Sequence, residues 1–313
     1  MPITLDPSAA AVIKAFRDAG GPALDKLPPV EARAAEARGR PIVQPEPRAM
    51  KRIENLSAHP PGGAIPLRAY TPNSAPASGA GGLVFYHGGG WTIGDLDGYD
   101  VLCRQIADES GLVVVSVDYR LAPEHKFPAA VIDAIAAADW ISANAAKLGF
   151  DPAKMFVGGD SAGGNLSAVV SINARDRGGP KIAGQVLIYP GIEGRRSHAS
   201  HRDPETSVLL THALTTYFYD HYLNDPNEVE DWRVSPGRVK DLSRLPEAFV
   251  ITAGADPLYD EGEEYSQRLR DAGVKVTHTS YRGQFHGFIT MGKLIPEANR
   301  LVSEISQWLK QRA

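Results

Sequence analysis

The amino-acid sequence predicts an α/β protein, with a doubly wound, mostly parallel sheet and a helical cap. Short runs that are apolar on both faces recur along the 313 residues, as in strands of a parallel sheet covered on both sides. Segments with apolar residues at helical spacing lie between these runs, and this alternation is typical of βαβ units. Two long segments interrupt it, and connections of this length usually form lids or binding elements.

Six segments are predicted as strands. One of them, Lys275–Thr279, is less apolar than the rest and is expected nearer an edge of the sheet. The other five are Leu83–Tyr86, Leu112–Val117, Met155–Val157, Gln185–Tyr189 and Ala248–Thr252. The segment Gly62–Gly82 is rich in Pro, Ser, Gly and Ala, and it is predicted as an exposed loop.

Helices are predicted between and after these strands. The apolar spacing is clearest in Ala129–Leu148, where apolar residues recur every three or four positions. The remaining predicted helices are Tyr99–Glu109, Ala162–Arg175, Glu261–Ala272 and Pro296–Lys310.

The two interrupting segments are predicted to form a cap over the carboxyl edge of the sheet. Residues 1–45 are its N-terminal part, with amphipathic stretches at Pro7–Asp18 and Val30–Arg38. Residues 192–240 are an insertion with a predicted helix at Thr211–Leu223. Residues 46–191 and 241–313 then form the α/β core. A dispensable tail is the alternative for the first segment, but its apolar periodicity favours docking.

Composition and charge narrow the class of protein. The net charge is −4 with both signs scattered along the chain, which argues against nucleic-acid binding. The single cysteine, Cys103, has no intrachain disulfide partner and is interpreted as a core residue rather than a nucleophile. The first residues lack a secretory signal pattern, and no apolar run approaches a membrane span, so a cytoplasmic location is expected.

The strongest chemical signal is the motif Gly159-Asp160-Ser161-Ala162-Gly163. It lies between a predicted strand and a predicted helix, the context of a serine nucleophile at a sharp turn with small neighbours. The helix N-terminus adds positive potential where an oxyanion develops. The alternative is the glycine-rich turn of a nucleotide-binding fold, but the turn lacks the G-x-G-x-x-G pattern.

A second motif, His87-Gly88-Gly89-Gly90-Trp91, directly follows the first predicted strand. Glycines allow the backbone to approach one oxygen atom closely with its amide N–H groups, as in the oxyanion hole of lipases and esterases. The predicted donors are Gly88, Gly89 and Gly90, together with Ala162 after the serine. His87 is interpreted as a structural hydrogen-bonding residue, because it precedes the serine in the chain.

A serine nucleophile needs a base, and the base needs an orienting acid. Along chains with this serine turn, the acid follows the serine and the histidine follows the acid. His286 comes after the last predicted strand and is the predicted base. Asp256, Asp260 and Glu261 follow the preceding strand, and Asp256 is favoured because Asp260 is a natural helix N-cap.

Together with Asp118-Tyr119-Arg120-Leu121-Ala122-Pro123-Glu124, these motifs give the chain a clear resemblance. From about Leu83 to His286 it resembles the bacterial hormone-sensitive-lipase-like esterases, or family IV, of the α/β-hydrolase fold. The resemblance implies a triad of Ser161, Asp256 and His286, oxyanion donors at Gly89, Gly90 and Ala162, and an N-terminal helical cap. Tyr119–Glu124 is interpreted as a packing and ion-pair segment.

The expected reaction is hydrolysis of a small-molecule carboxylic ester through an acyl-enzyme, without metal or cofactor. The resemblance suggests short to medium acyl chains. Cap residues expected either to line an acyl pocket or only to pack the cap are Leu209, Leu210, Tyr217, Phe218 and Tyr222. An amidase or formamidase is the first alternative, and a non-catalytic receptor, which would lack a triad member, is the second. Association into a homodimer is left open.

Overall fold

A computed structural model describes residues 3–60, 63–76 and 78–313. At its centre lies one sheet of eight strands. The strands are β1 (Arg52–Ala58), β2 (Ile65–Thr71), β3 (Gly82–Tyr86), β4 (Val113–Val117), β5 (Met155–Asp160), β6 (Gly184–Ile188), β7 (Glu247–Ala255) and β8 (Val276–Phe285). The helices are α1 (Pro7–Asp18), α2 (Pro29–Val43), α3 (Asp100–Ser110), α4 (Ala129–Ala143), α5 (Ala145–Leu148), α6 (Ala162–Arg177), α7 (His212–Tyr222), α8 (Tyr259–Asp271) and α9 (Pro296–Lys310).

The sheet is mostly parallel, as the sequence predicts. Its strand order is β1-β2-β4-β3-β5-β6-β7-β8. Only the β1–β2 and β2–β4 pairs are antiparallel, and every pair from β4 to β8 is parallel. The carboxyl ends of β3, β5, β7 and β8 therefore meet at one edge, and each of these strands leads directly into a predicted site residue or motif.

The interiors of β3 to β7 are buried on both faces, which explains their continuous apolar runs. In β7, Phe249 and Ile251 belong to a cluster with α1, α3 and α9 on one face. Ala248 and Val250 alternate with them and pack with α6 and α8 on the opposite face. This two-sided cover is the physical basis of the predicted doubly wound sheet. Cys103 is fully buried in the first cluster, and burial raises the pKa of its thiol, as expected for a core residue.

The prediction of an exposed loop at Gly62–Gly82 is wrong over most of its first half, because Ile65–Thr71 forms β2. Pro61, Gly62 and Ala77 lie outside the described residues. Strand β1 is also absent from the predicted elements. The sequence pattern does not predict these two strands, because β1 is partly exposed with charged residues and β2 contains Pro66. The predicted helix Ala129–Leu148 is divided into α4 and α5 at Asn144.

The N-terminal segment packs onto the insertion that follows β6. The turn after α1, at Leu24–Lys26, contacts α7, and the Tyr217 hydroxyl of α7 donates to the carbonyl of Leu27 at 3.0 Å. Ala32 of α2 shares a buried apolar cluster with Leu210 and Phe218. The N-terminal segment is therefore docked on the insertion. In the described part of the chain, each helix falls short of the length and apolar character that a membrane span requires.

Candidate active site

Ser161 occupies a sharp turn between β5 and α6. Its φ of 54° and ψ of −118° lie in a region that residues with side chains rarely adopt. The turn is held by the Ser161 N–H, which donates to the Ile188 carbonyl at 2.8 Å. A Cβ added at Gly159 or Gly163 overlaps the carbonyl of Tyr86 on neighbouring β3. Glycine is therefore required on both sides of the serine, which explains the spacing of the motif.

His286 joins Ser161 to Asp256 across the carboxyl edge of the sheet. Its Nε2 lies 2.8 Å from Ser161 Oγ, and its Nδ1 lies 2.6 Å from Asp256 Oδ2. Asp256 is fully buried, and its other oxygen accepts the Leu258 N–H at 2.8 Å. Because the carboxylate accepts a hydrogen bond from Nδ1–H, the proton stays on Nδ1 and Nε2 is free to accept a proton from the serine hydroxyl.

The two rejected acid candidates point elsewhere. Asp260 accepts the backbone N–H of Ser200 at 2.8 Å. Glu261 lies 2.6 Å from the Nε2 of His201 and accepts the Ile192 N–H. The structure thus brings only Asp256 of the three predicted acids to His286.

The glycine loop after β3 begins against the serine turn, where a Cβ added at Gly163 would overlap the His87 carbonyl. Among the described residues, no protein acceptor takes the N–H of Gly89 or Gly90. Ala162 is the first residue of α6, where the amide N–H has no partner inside the helix. Gly88 differs, because its N–H already donates to Asp160 Oδ1 at 2.9 Å. That hydrogen bond removes Gly88 from the predicted set of oxyanion donors.

Asp160 connects the serine turn to the glycine loop, a role that sequence reasoning missed. Its second oxygen accepts the Tyr99 hydroxyl at 3.0 Å. The side chain is buried, and burial raises the pKa of its carboxyl to about 6 although the Tyr99 hydrogen bond opposes this shift. The only signal in the sequence was its place directly before Ser161.

His87 has the structural role predicted for it. The ring is fully buried, stacks on Tyr119 at a centroid distance of 4.3 Å, and places Nδ1 2.7 Å from the Gly88 carbonyl. The Tyr119 hydroxyl donates to the His87 carbonyl at 2.7 Å. Burial lowers the pKa of His87 to about 4, so the ring is neutral near pH 7.

Arg33 of α2 ties the N-terminal segment to the same loop. Its guanidinium donates to the carbonyls of Thr92 and Ala122, each at 2.8 Å, and forms a two-point ion pair with Glu124. The Thr92 hydroxyl donates in turn to the Gly90 carbonyl at 3.0 Å. The ion pair agrees with the structural interpretation of Tyr119–Glu124.

Apolar side chains from the insertion pack on the glycine loop. The Phe218 ring packs so closely on Gly90 that an added Cβ would overlap it. Phe218 and Leu210 form one cluster with Ile93 and Leu258. Tyr222 is fully buried and stacks on Trp91, so it packs the cap.

The comparisons with known proteins agree with this geometry. A family model described as the alpha/beta hydrolase fold matches residues 83–290. Carboxylic ester hydrolase LipN of Mycobacterium tuberculosis is 41% identical over 93% of this chain and 78% of its own length. Ethyl acetate hydrolase of Pseudomonas putida is 34% identical over 80% of this chain and 79% of its own length.

A solved structure extends the likeness to nearly the whole chain. Ester-hydrolase EH1AB1, from the metagenome of Lake Arreo and complexed with a derivative of bipyridine phosphonate, is 37% identical. It superposes with a TM-score of 0.95 over 98% of this chain and 99% of the other. With a serine turn, a glycine loop and a buried Asp–His pair in the expected places, the chain belongs to the α/β-hydrolase family that includes these ester hydrolases.

Proposed function

We propose that this protein hydrolyses carboxylic esters, with Ser161 as nucleophile, His286 as general base and Asp256 as the acid that orients it. The observation that carries the proposal is the position of His286, 2.8 Å from Ser161 and 2.6 Å from Asp256. The names of the relatives, carboxylic ester hydrolase and ethyl acetate hydrolase, support an ester as the substrate.

The first half-reaction forms an acyl-enzyme. His286 Nε2 takes the hydroxyl proton of Ser161 as Oγ attacks the ester carbonyl carbon. The carbonyl π electrons move to oxygen, and the resulting tetrahedral intermediate carries a negative charge there. The C–O bond to the alcohol then breaks, and the imidazolium returns its proton to the departing alkoxide. Asp256, buried against Nδ1, stabilises the imidazolium while it exists.

The second half-reaction releases the acid. A water molecule attacks the acyl carbon while His286 Nε2 accepts its proton. A second tetrahedral intermediate collapses, Ser161 Oγ leaves, and the proton returns to it. The free carboxylic acid departs and the enzyme regains its starting protonation.

Both intermediates require donors for the oxyanion. The proposed donors are the N–H groups of Gly89, Gly90 and Ala162, with α6 adding the positive end of its dipole. Preorganised donors of this kind are each worth on the order of 10²–10³ in turnover.

The size of the acyl group is proposed to be short to medium. Phe218 lies against Gly90 of the glycine loop, and Leu210, Ile93 and Leu258 join it in one buried apolar cluster. Bulky side chains at these positions favour a small apolar acyl group over a long one.

The two segments 1–45 and 192–240 are proposed to act together as the cap, over a core of residues 46–191 and 241–313. The Tyr217–Leu27 hydrogen bond and the shared cluster of Ala32 and Phe218 support one unit. A cytoplasmic location and a homodimer stay predictions, to be tested by cell fractionation and by light scattering of the purified protein.

The test is a substrate panel on pure protein, with Ser161→Ala as the matched control. We expect activity on p-nitrophenyl esters to peak between acetyl and octanoyl and to fall steeply at palmitoyl. Matching p-nitroanilides and an aryl formamide are expected to react far more slowly. A peak at palmitoyl would refute the proposed chain length, and faster anilide or formamide cleavage would instead assign an amidase. Absence of any Ser161-dependent turnover would support the receptor alternative.

A further inference from the structure

Three side chains with metal-binding atoms lie outside the proposed catalytic site, where the connection after β6 crosses α8. His198 and His201 belong to this connection, and Glu261 belongs to the first turn of α8. One ligand atom from each lies within 4.8 Å of the corresponding atoms of the other two. The side chains of His201 and Glu261 are 3% and 1% exposed. Two imidazoles and one carboxylate are a ligand set that zinc commonly takes in proteins.

His198 contributes a ring nitrogen without a protein partner. Its Nε2 lies 3.0 Å from the Glu264 carboxylate, a hydrogen bond that places the proton on Nε2. In the neutral ring, Nδ1 then carries a lone pair. Nδ1 is buried and has no hydrogen-bond partner within residues 3–60, 63–76 and 78–313. Metal-binding histidines typically have this arrangement, with one nitrogen on a carboxylate and the other on the ion.

Glu261 is a buried acid whose carboxylate contacts the His201 ring. Its Oε1 accepts the N–H groups of Ile192 at 2.5 Å and Glu193 at 3.3 Å, while Oε2 faces His201 at 2.6 Å. A divalent cation beside Oε2 would offset the negative charge of this buried carboxylate.

We propose that His198, His201 and Glu261 bind one zinc-like divalent cation, through His198 Nδ1, His201 Nε2 and Glu261 Oε2, with water as the fourth ligand. His201 then carries its proton on Nδ1. Binding widens the His201–Glu261 contact to about 3.3 Å, the ligand–ligand span of a tetrahedral site with bonds of roughly 2.0–2.1 Å. Mg²⁺ and Ca²⁺, which prefer oxygen ligands, are not expected to bind.

The site lies next to the loop that carries Asp256. Ser200, between the two histidines, donates its N–H to Asp260 at 2.8 Å and its hydroxyl to the Pro257 carbonyl at 2.7 Å. A bound cation would therefore fasten the insertion to α8 beside the proposed acid, and its main expected effect is on thermal stability.

The test uses the full chain without a histidine tag, stripped with a chelator and titrated with Zn²⁺ alone. Calorimetry is expected to give one ion per chain, and thermal unfolding a higher Tm with Zn²⁺ but not with Mg²⁺. His198→Ala is expected to abolish both effects. It leaves the buried His201–Glu261 contact in place, so it should fold, whereas His201→Ala leaves a buried acid alone.

Two further variants test whether Zn²⁺ binds at this site rather than at another histidine. His278→Ala removes another histidine–carboxylate pair from α8, the 3.0 Å contact with Glu263, and it is expected to keep full Zn²⁺ binding. Glu264→Ala is expected to weaken binding by about tenfold through loss of the carboxylate behind His198. Absence of Zn²⁺ binding, or unchanged binding in His198→Ala, would overturn the proposal and leave His201–Glu261 as a hydrogen-bonded pair alone.

Discussion

The carboxylate of Asp160, at the end of β5, accepts the backbone N–H of Gly88 in the loop after neighbouring β3 at 2.9 Å. Asp160 directly precedes Ser161, and Gly88 directly precedes the two glycines proposed as oxyanion donors. One buried side chain therefore sets the position of the donors relative to the nucleophile. Its second oxygen is held by the Tyr99 hydroxyl, so the carboxylate has little freedom to rotate.

Asp160→Ala is expected to lower kcat by roughly 10- to 100-fold with a smaller change in KM, because displaced oxyanion donors act mainly in the transition state. It also leaves the Tyr99 hydroxyl without its acceptor and the Gly88 N–H with the Tyr99 oxygen alone, at a cost of about 1–3 kcal/mol in the free energy of unfolding. Steady-state kinetics and urea unfolding measure the two effects. Asp160→Asn keeps an acceptor oxygen and should retain most of kcat. Equal kcat values in wild type and Asp160→Ala would show that the link has no catalytic role.

Gly90→Ala is expected to reduce kcat/KM strongly, because the new Cβ overlaps the Phe218 ring at a positive φ. If the ring is the obstacle, adding Phe218→Ala should restore part of the loss. A double-mutant cycle on acetyl and butyryl esters measures this coupling. Purely additive effects of the two substitutions would place the cause in the backbone conformation of residue 90 alone.

Arg33→Ala is expected to lower both Tm and kcat, since the guanidinium holds the carbonyls of Thr92 and Ala122 as well as Glu124. Loss of these contacts should cost about 1–2 kcal/mol in the free energy of unfolding. Arg38→Ala is the matched control, an exposed arginine on the same helix, and it should leave both quantities unchanged. Identical behaviour of the two variants would mean that α2 is not anchored through Arg33.

His87 is expected to make the free energy of unfolding decrease in mild acid. Burial lowers its pKa from 6.5 to about 4, so between these pH values only the unfolded chain binds the extra proton. Its contribution to stability is full above pH 6.5 and is lost as the pH falls toward 4. Asp160, with its raised pKa, titrates in the opposite sense over pH 4–6, so a variant is needed to isolate His87.

His87→Asn removes the titration and keeps a side-chain N–H toward the Gly88 carbonyl. The wild-type free energy of unfolding, measured relative to that of the variant, should drop by about 2 kcal/mol between pH 7 and pH 5. Urea unfolding at several pH values measures it. A difference independent of pH would contradict the neutral, buried state of His87.

The parallel part of the fold was predictable because its strands are buried on both faces and leave unbroken apolar runs. The positions of Ser161, Asp256 and His286 were predictable for a related reason. Ser161 and Asp256 each follow such a strand directly, His286 follows the less apolar strand β8, and strand ends in a parallel sheet converge. Strands β1 and β2 were not predictable, since both are antiparallel and partly exposed, and β2 also contains Pro66.

Contacts between residues far apart in the chain were also not predictable from the sequence. The sequence does not distinguish Gly88 from Gly89 and Gly90. In the structure, the Gly88 N–H donates to Asp160, 72 residues away. Arg33 lies 59 residues from the carbonyl of Thr92 that it holds, in a helix whose pattern predicts only docking. No local spacing encodes either contact, because both depend on how the cap and the loops meet above the sheet.

Covalent labelling of Ser161 tests the central claim most directly. A p-nitrophenyl alkylphosphonate, which mimics the tetrahedral intermediate, should inactivate the enzyme with one adduct per chain, located by peptide mass mapping on Ser161. Ser161→Ala should remain folded, take up no label and lose ester hydrolysis by roughly 10⁴-fold or more. Inactivation with the label on another residue, or ester turnover retained in Ser161→Ala, would contradict the proposed mechanism.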